Sequence, residues 1–520
     1  MAMFRVSPDL EVAKTVNEFR DSGSISNLKL FTIASIGAII LCSFAIFNGY
    51  AVFFNDSRSY VRGGSAVATK VFGAQIDDGA WKSRASIASS IDSSVSLSSI
   101  GKSVPKAVTG NRSIYYGLLA FFGYRISNFW LTIFIQSFAV SSVIAIAWLR
   151  GLNFQVSSYF VVMLFLAVLT DSGVFVAYIM PDIFTAVLIL IAAVVVGFWE
   201  RIRAAEKLFL FATGAYASCT HPSHLPILAA VIALVAIYYV AHRTRFRRGW
   251  AVLLLVGCEV VGISATLAFN IVVTKLTGER PLLLPHITAH LVEMGPGTRY
   301  IRANCPGAGF AVCQFAPRLP VGWVTFLSST DPKTGVFEVA SPSVQRLLSD
   351  EQTRFAEAVL LFDPVGVIAG TARDVARQAV LFNLDTLKLS TPARENYYDS
   401  FPPKVYRHIV TSRVGRNDIT LDSISRIDLL VVGISVLGLM CFAITCIYYE
   451  SESVVFSDAK VFAAVIVVGV LANALICGAL ASPEPRFQAR VVWLIPLAFA
   501  TLLHASRSIA ARRRHMSSPL

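Results

Sequence analysis

Charge is scarce in this chain. Only 15% of its 520 residues are Asp, Glu, Lys or Arg, where a soluble domain carries about 25%. Hydrophobic residues make up 55%, and the mean hydropathy is +0.63. That apolar excess is too large for one aqueous core, which excludes an ordinary soluble enzyme. Acidic residues are scarcer than basic ones, 32 against 45, leaving a net charge of +13. No nucleic-acid-binding motif accompanies the basicity. The Lys and Arg gather at the ends of apolar runs, so the charge points to a membrane surface and not to nucleic acid. No sequence repeat and no low-complexity tract is present. No cleavable signal peptide is apparent either: the first ~28 residues are polar and of mixed charge, and the apolar helix after them reads as a retained anchor.

What the chain does have is long apolar blocks. The clearest run from Phe31 to Phe54, Phe129 to Leu149, Trp250 to Val273, Ile427 to Tyr449 and Val461 to Ala481. Each approaches the ~20 residues that cross a bilayer as a helix, and a spanning segment must satisfy its own backbone hydrogen bonds. The expectation is an all-α polytopic membrane protein with about ten transmembrane helices. They fall near 31–54, 128–149, 157–170, 183–199, 207–219, 225–241, 250–273, 427–449, 460–481 and 490–505.

Charge orients the helices. One set of short segments holds Arg5, Lys14, Arg20, Arg150, Arg201, Arg203, Lys207, Arg243, Arg245, Arg247, Arg248, Arg507, Arg512, Arg513 and Arg514. The opposite short loops, 171–182 and 220–224, hold no Lys or Arg; Arg486 and Arg490 alone break the pattern there. Cytoplasmic loops are the basic ones, so both termini read as cytoplasmic and the location as a bacterial inner membrane. The expected organisation is a cytoplasmic segment 1–30, helices and a first outer loop (55–127) over 31–273, an outer, mostly helical subdomain over 274–426, helices over 427–505, and a basic tail 506–520 that meets anionic lipid.

In the first outer loop, Trp81 to Ile100 can form a short helix and Tyr115 to Phe122 is aromatic; both suit the membrane surface. In the second, Ser349-Asp350-Glu351-Gln352 fits a capping box before Phe355 to Phe362, and a second helical pattern covers Val365 to Leu381. Six of the eight cysteines lie in apolar runs, where they act as small apolar residues. Cys305 and Cys313 share the second outer loop, where an oxidising compartment permits a disulfide.

Ionisable groups beside the membrane are functional candidates, and several fall at one level, the outer ends of helices. They are Asp56 and Arg58 after the first helix, Asp171 after the third, Asp182 opening the fourth, His221 and His224 in the next outer turn, and Glu484, Arg486 and Arg490 in the last. Carboxylates can act as general bases, and arginines hold phosphate by paired hydrogen bonds. Each has a plainer role too. Asp56 can end a helix in a turn, Asp182 can cap one, His221 and His224 can bond within their turn, and the arginines can reach lipid headgroups.

With Asp56 just past the first helix, surface-helix candidates in that loop, Asp171 or Asp182 in the second outer turn and the late Arg486-Phe487-Gln488-Ala489-Arg490, the chain resembles the GT-C superfamily of membrane glycosyltransferases. The resemblance covers the first 200 residues and the overall topology; the rest matches in outline. It implies transfer of a hexosyl or pentosyl group from a polyprenyl-phosphate-linked sugar to a cell-envelope glycan or lipid acceptor. Asp56 would be the base, Asp182 or Asp171 would orient the acceptor, and Arg58, Arg486 and Arg490 would bind the lipid phosphate. The single Asp of Asp56-Ser57-Arg58-Ser59-Tyr60 differs from the paired acids of some members, so the metal is unknown. A divalent cation is compatible, with His221 and His224 as further ligands or as acceptor contacts. A glycolipid flippase or transporter and a polysaccharide polymerase or ligase are the alternatives.

Overall fold

The computed structural model describes residues 25–76, 79–81, 110, 112–241, 249–448 and 454–517. The described residues are helical and contain no strand. Helices occupy every position expected from the apolar runs. They are α1 Asn27–Leu41 continued by α2 Ser43–Asn48, then α5 Trp130–Ala145, α6 Val156–Leu169, α8 Ile183–Phe198, α9 Ala204–Thr220, α10 His224–Ala241, α11 Gly249–Thr277, α19 Leu421–Tyr448, α20 Val454–Leu480 and α22 Leu494–Ser517, which is led in by α21 Pro485–Val492. Six spans among the described residues are long and apolar enough to cross a membrane: 27–48, 130–151, 249–277, 421–445, 456–480 and 485–507. The others are shorter.

The shortness of α8 has a physical reason. All 16 of its residues are buried, and at 1.5 Å per residue it is about 24 Å long. A helix apolar all round sits inside a bundle, and α5, α9, α10 and α20 pack around it. At the basic ends of the helices, Arg150 pairs with Glu206 and Arg201 with Asp458, each at 2.7 Å.

Two helices fold over the opposite end, α3 Ser57–Phe72 and α4 Ile114–Ser127. They cross at Gly64 and Gly117, where a Cβ on Gly64 would overlap the Gly117 carbonyl. Tyr115 to Phe122 therefore does not simply lie on lipid. Tyr116 and Phe121 are fully buried, and the Tyr116 hydroxyl donates to Gln136 at 2.9 Å. Of the helix expected over Trp81 to Ile100, only Trp81 lies within the described residues.

The second loop contributes to two apolar clusters. Its first part, with α12 His286–Met294, α13 Pro296–Asn304, α14 Trp323–Ser328 and α15 Pro342–Phe362, closes around its own core of Val292, Ile301, Phe315, Phe326, Phe355 and others. Gly295 turns α12 into α13 at φ +114°, a left-handed value that favours glycine. Cys305 and Cys313 are disulfide-bonded there, with Cα atoms 5.5 Å apart. The later part, with α17 Thr391–Ser400 and α18 Pro403–Thr411, packs its Tyr397, Phe401 and Val405 into the helix bundle.

The expected capping box is used differently. α15 begins earlier, at Pro342, so Ser349 lies inside it. Its hydroxyl accepts from Leu283 N at 3.1 Å, and the Glu351 carboxylate accepts from Ala311 N and Val312 N at 3.0 and 3.3 Å. These side chains cap a neighbouring element instead of their own. The next helix, α16, runs Pro364–Val380.

Candidate functional site

The site is built where an extended stretch between α7 (Ser172–Ala177) and α8 meets the chain leaving α2. Val52 N donates to Ala177 O, and Ile179 N donates to Val52 O, both at 2.9 Å. Buried Gln136 holds the same stretch, donating to Val176 O and Tyr178 O at 2.8 and 3.1 Å. These bonds set Tyr178 and Asp182 beside the segment that carries Phe54 and Asp56.

Asp56 occupies the cap position of α3, but its side chain makes no capping bond. Its Oδ2 instead lies 2.6 Å from Arg112 Nη2, both side chains about a quarter exposed. Arg112 is placed by Ser113, which caps α4 and donates to Cys219 O at the end of α9 at 2.5 Å. The Arg486 guanidinium lies over the Phe54 ring, 4.2 Å from its centre, within electrostatic reach of Tyr178, Asp182 and Asp56. Its Nη1 is buried and has no acceptor among the described residues. A buried donor without an acceptor is costly, so this atom marks where an anion would be accepted.

The electrostatics of Asp56 are a contest. Burial alone would raise its carboxyl pKa, but Arg112 first, then Arg486 and His286, hold it below the usual range. His286 is pushed down to about 4, by burial and then by Arg112, with Asp56 opposing. At neutral pH the site thus pairs an ionised carboxylate and two guanidiniums with a neutral imidazole.

One turn after Arg486, Arg490 is 2% exposed. Its Nη2 donates to Asn473 Oδ1 at 2.9 Å, and its Nη1 is 3.7 Å from Asp182 Oδ1. Asn473 in turn donates to Phe487 O at 2.6 Å and to Gln488 at 2.9 Å. Arg490 is committed to holding α21 against α20, whereas Arg486 is not. Asp182 also makes no capping bond to α8.

Other expected residues are placed as follows. His224 is fully engaged: Nε2 is 2.8 Å from Thr185 Oγ1, and Nδ1 is 2.7 Å from Ala217 O. His221 Nδ1 bonds Ser223 at 2.8 Å, and burial, His224, Arg490, Arg112 and Arg486 hold its imidazole neutral. The two rings lie 5.5 Å apart. Among the described residues no three His, Cys, Asp or Glu are grouped to hold a metal. The donor set for a cation does not fit here, since Asp56 is taken by Arg112 and His224 by Thr185 and Ala217. Arg58 lies at the margin, its field felt by Tyr397 and Arg62. Asp171 is not brought to the arginines. It is fully buried at the start of α7, and its backbone N–H donates to the carboxylate of Asp428 in α19 at 3.2 Å.

Sequence reasoning passed over Arg112, Tyr178 and His286. Arg112 carried a usable signal, because it is an arginine beside the start of an apolar helical stretch, as Arg486 is.

Beside the site lies a cleft of about 610 Å³, bounded by Glu293, Trp323, Arg373, Arg377, Ser482 and Glu484. The Trp323 ring lies tilted against that of His286 with ring centres 5.2 Å apart, and its indole N–H donates to His286 O at 3.3 Å. Glu484 lies two positions before Arg486; burial raises its carboxyl pKa, against Arg486 and Arg377.

Compared with protein-family models, curated proteins and solved structures, the chain matches none.

Proposed function

We propose that this protein is an integral-membrane glycosyltransferase of GT-C-like architecture. It would span the bacterial inner membrane about ten times, with both termini cytoplasmic and two large outer loops. It would move a sugar from a polyprenyl phosphate to a cell-envelope acceptor on the outer face. The observation that carries the reading is Asp56 held between Arg112 and Arg486, with the buried Arg486 Nη1 left without an acceptor among the described residues.

That arrangement suggests an exchange of partners. A carboxylate held by two guanidiniums is a weak base. The donor phosphate competes for the same guanidiniums, taking Arg486 Nη1 and drawing Arg112 away from Asp56. Asp56 then regains basicity as the acceptor hydroxyl arrives. The acceptor oxygen bonds to the anomeric carbon while Asp56 takes its proton. The bond from that carbon to the phosphate oxygen breaks, and its electron pair leaves with the polyprenyl phosphate. Fixed cations stabilise the charge that develops there. Arg490 and Asp182 position α21 below.

The test compares envelope glycans by mass spectrometry in the parent strain, a deletion, and the deletion carrying Asp56→Asn at normal membrane level. Loss of one sugar in the deletion, not restored by Asp56→Asn, supports transfer. Full restoration removes Asp56 as the base. Shortened chains or trapped lipid-linked units favour a polymerase, ligase or flippase.

One observation favours transport. Asp171 and Asp428 bury two carboxylates in the bundle with no basic partner among the described residues, as ion-coupled carriers do.

A further inference from the structure

We infer that the cleft walled by Trp323, Glu293, Arg377 and Glu484 receives the acceptor, and that this acceptor is a neutral glycan and not a lipid. The inference rests on the transferase reading and names the substrate of that site.

The lining decides the chemistry. The indole N–H of Trp323 is already given to His286 O, so the ring offers a ligand its carbon face. A flat aromatic face suits the C–H side of a sugar ring. Around it stand Glu293, Asp374 and Glu484 against Arg373 and Arg377. Opposite charges nearly cancel, so a strongly ionic ligand gains little. A polyol gains donors and acceptors together, and hydrogen bonds to charged groups are the stronger kind. Met294, Trp323, Val324 and Pro483 give the lining apolar surface, but five of its twelve residues are charged, so an acyl chain would find no wholly apolar wall. Its volume falls within the roughly 300–1,000 Å³ of small-ligand sites, enough for the end of a short oligosaccharide.

Position supports the same assignment. Trp323 rests on His286, which lies in the field of Asp56 and Arg112. Glu484 opens the turn that carries Arg486. A sugar stacked on Trp323 would have its next hydroxyl directed toward the Asp56 side, while the phosphate is held from the Arg486 side.

The test uses the full-length protein in the deletion strain, with Trp323→Ala, Trp323→Phe and Asp56→Asn at matched membrane levels. Isolated membranes supply initial rates as the glycan acceptor is titrated. We expect Trp323→Ala to raise the acceptor KM at least tenfold with kcat within about threefold, the donor KM unchanged, and Trp323→Phe to recover most of the loss. If Trp323→Ala behaves as the unaltered protein while Asp56→Asn is inactive, the cleft assignment fails and the transferase reading survives. If Trp323→Ala lowers kcat alone, Trp323 is structural and the assignment also fails. A delipidated glycan that cannot serve where its intact lipid form does would make the acceptor a lipid. Activity retained by Asp56→Asn overturns the transferase site itself.

Discussion

Asp56 Oδ2 and Arg112 Nη2 are 2.6 Å apart, joining the start of α3 to the start of α4. The same carboxylate lies within the field of Arg486 from the last span. One side chain thereby ties three distant parts of the chain together, and the buried Arg486 Nη1 beside it has no acceptor among the described residues.

If Arg112 yields its partner to the donor phosphate, its loss should harm catalysis more than folding. Arg112→Ala should lower sugar transfer by on the order of 100-fold, the scale of removing one charge-stabilising donor. Arg112→Lys keeps the charge without the paired donors and should recover only part. Because Asp56 and Arg112 act as a unit, the double variant with Asp56→Asn should be little worse than Asp56→Asn alone. Additive losses would show that the two residues act separately. Initial rates in membranes measure all four proteins.

The legible part of this architecture is one-dimensional. Apolar runs locate every helix long and apolar enough to cross a membrane, because such a helix must be apolar over its own length whatever surrounds it. Asp182, Arg486 and Arg490 could be grouped with Asp56 because each sits at the end of such a run that lacks the basic clusters. Partner choice was not legible. Nothing in the sequence says that Asp56 meets Arg112 across the loop, or that Asp171, at the same level as Asp182, turns to Asp428 instead. The Ser349–Gln352 pattern has the spacing of a capping box, yet packing places Ser349 against Leu283 and Glu351 against Ala311, and tertiary contacts override the local signal.

The crossing of α3 over α4 sets Asp56 and Arg112 at facing helix starts, so it should tolerate no added bulk. Gly64→Ala should lower stability by about 1–3 kcal/mol, the usual cost of overpacking. Gly63, one residue earlier, has open space where a Cβ would stand, so Gly63→Ala should be neutral or slightly stabilising. Thermal midpoints of the two purified proteins in one detergent decide the matter. Equal midpoints would mean that the helices are not closely crossed.

His286 links stability to pH. Its folded pKa of about 4 lies below the ordinary histidine value of about 6.5, with burial as the first cause and Arg112 as the next. Between those values the unfolded chain binds the extra proton, so stability rises with pH across that window. A difference of that size corresponds to about 3 kcal/mol at most. Asp56 acts at a lower pH. Its depressed pKa contributes stability that is present above the unfolded carboxylate value and is lost as pH falls through the folded one. Melting should therefore fall from pH 7 to pH 5, and His286→Gln should flatten part of that slope. An unchanged slope would show that His286 is hydrated.

The pair Asp171 and Asp428 separates transfer from transport. Both side chains are buried, and both Asp171 oxygens lack a hydrogen-bond partner among the described residues. Buried charge without compensation is expensive, and an amide of the same shape avoids that cost. If the pair is only structural, Asp428→Asn should leave stability equal or higher and should restore the envelope glycan fully. If the protein instead couples an ion to movement of a lipid-linked sugar, the carboxylate is the working group. Asp428→Asn would then abolish function with normal folding, while Asp56→Asn would retain part of it. The two variants compared in one deletion strain give opposite orders of activity under the two readings, because only one of the two carboxylates can be the one that handles a proton during turnover.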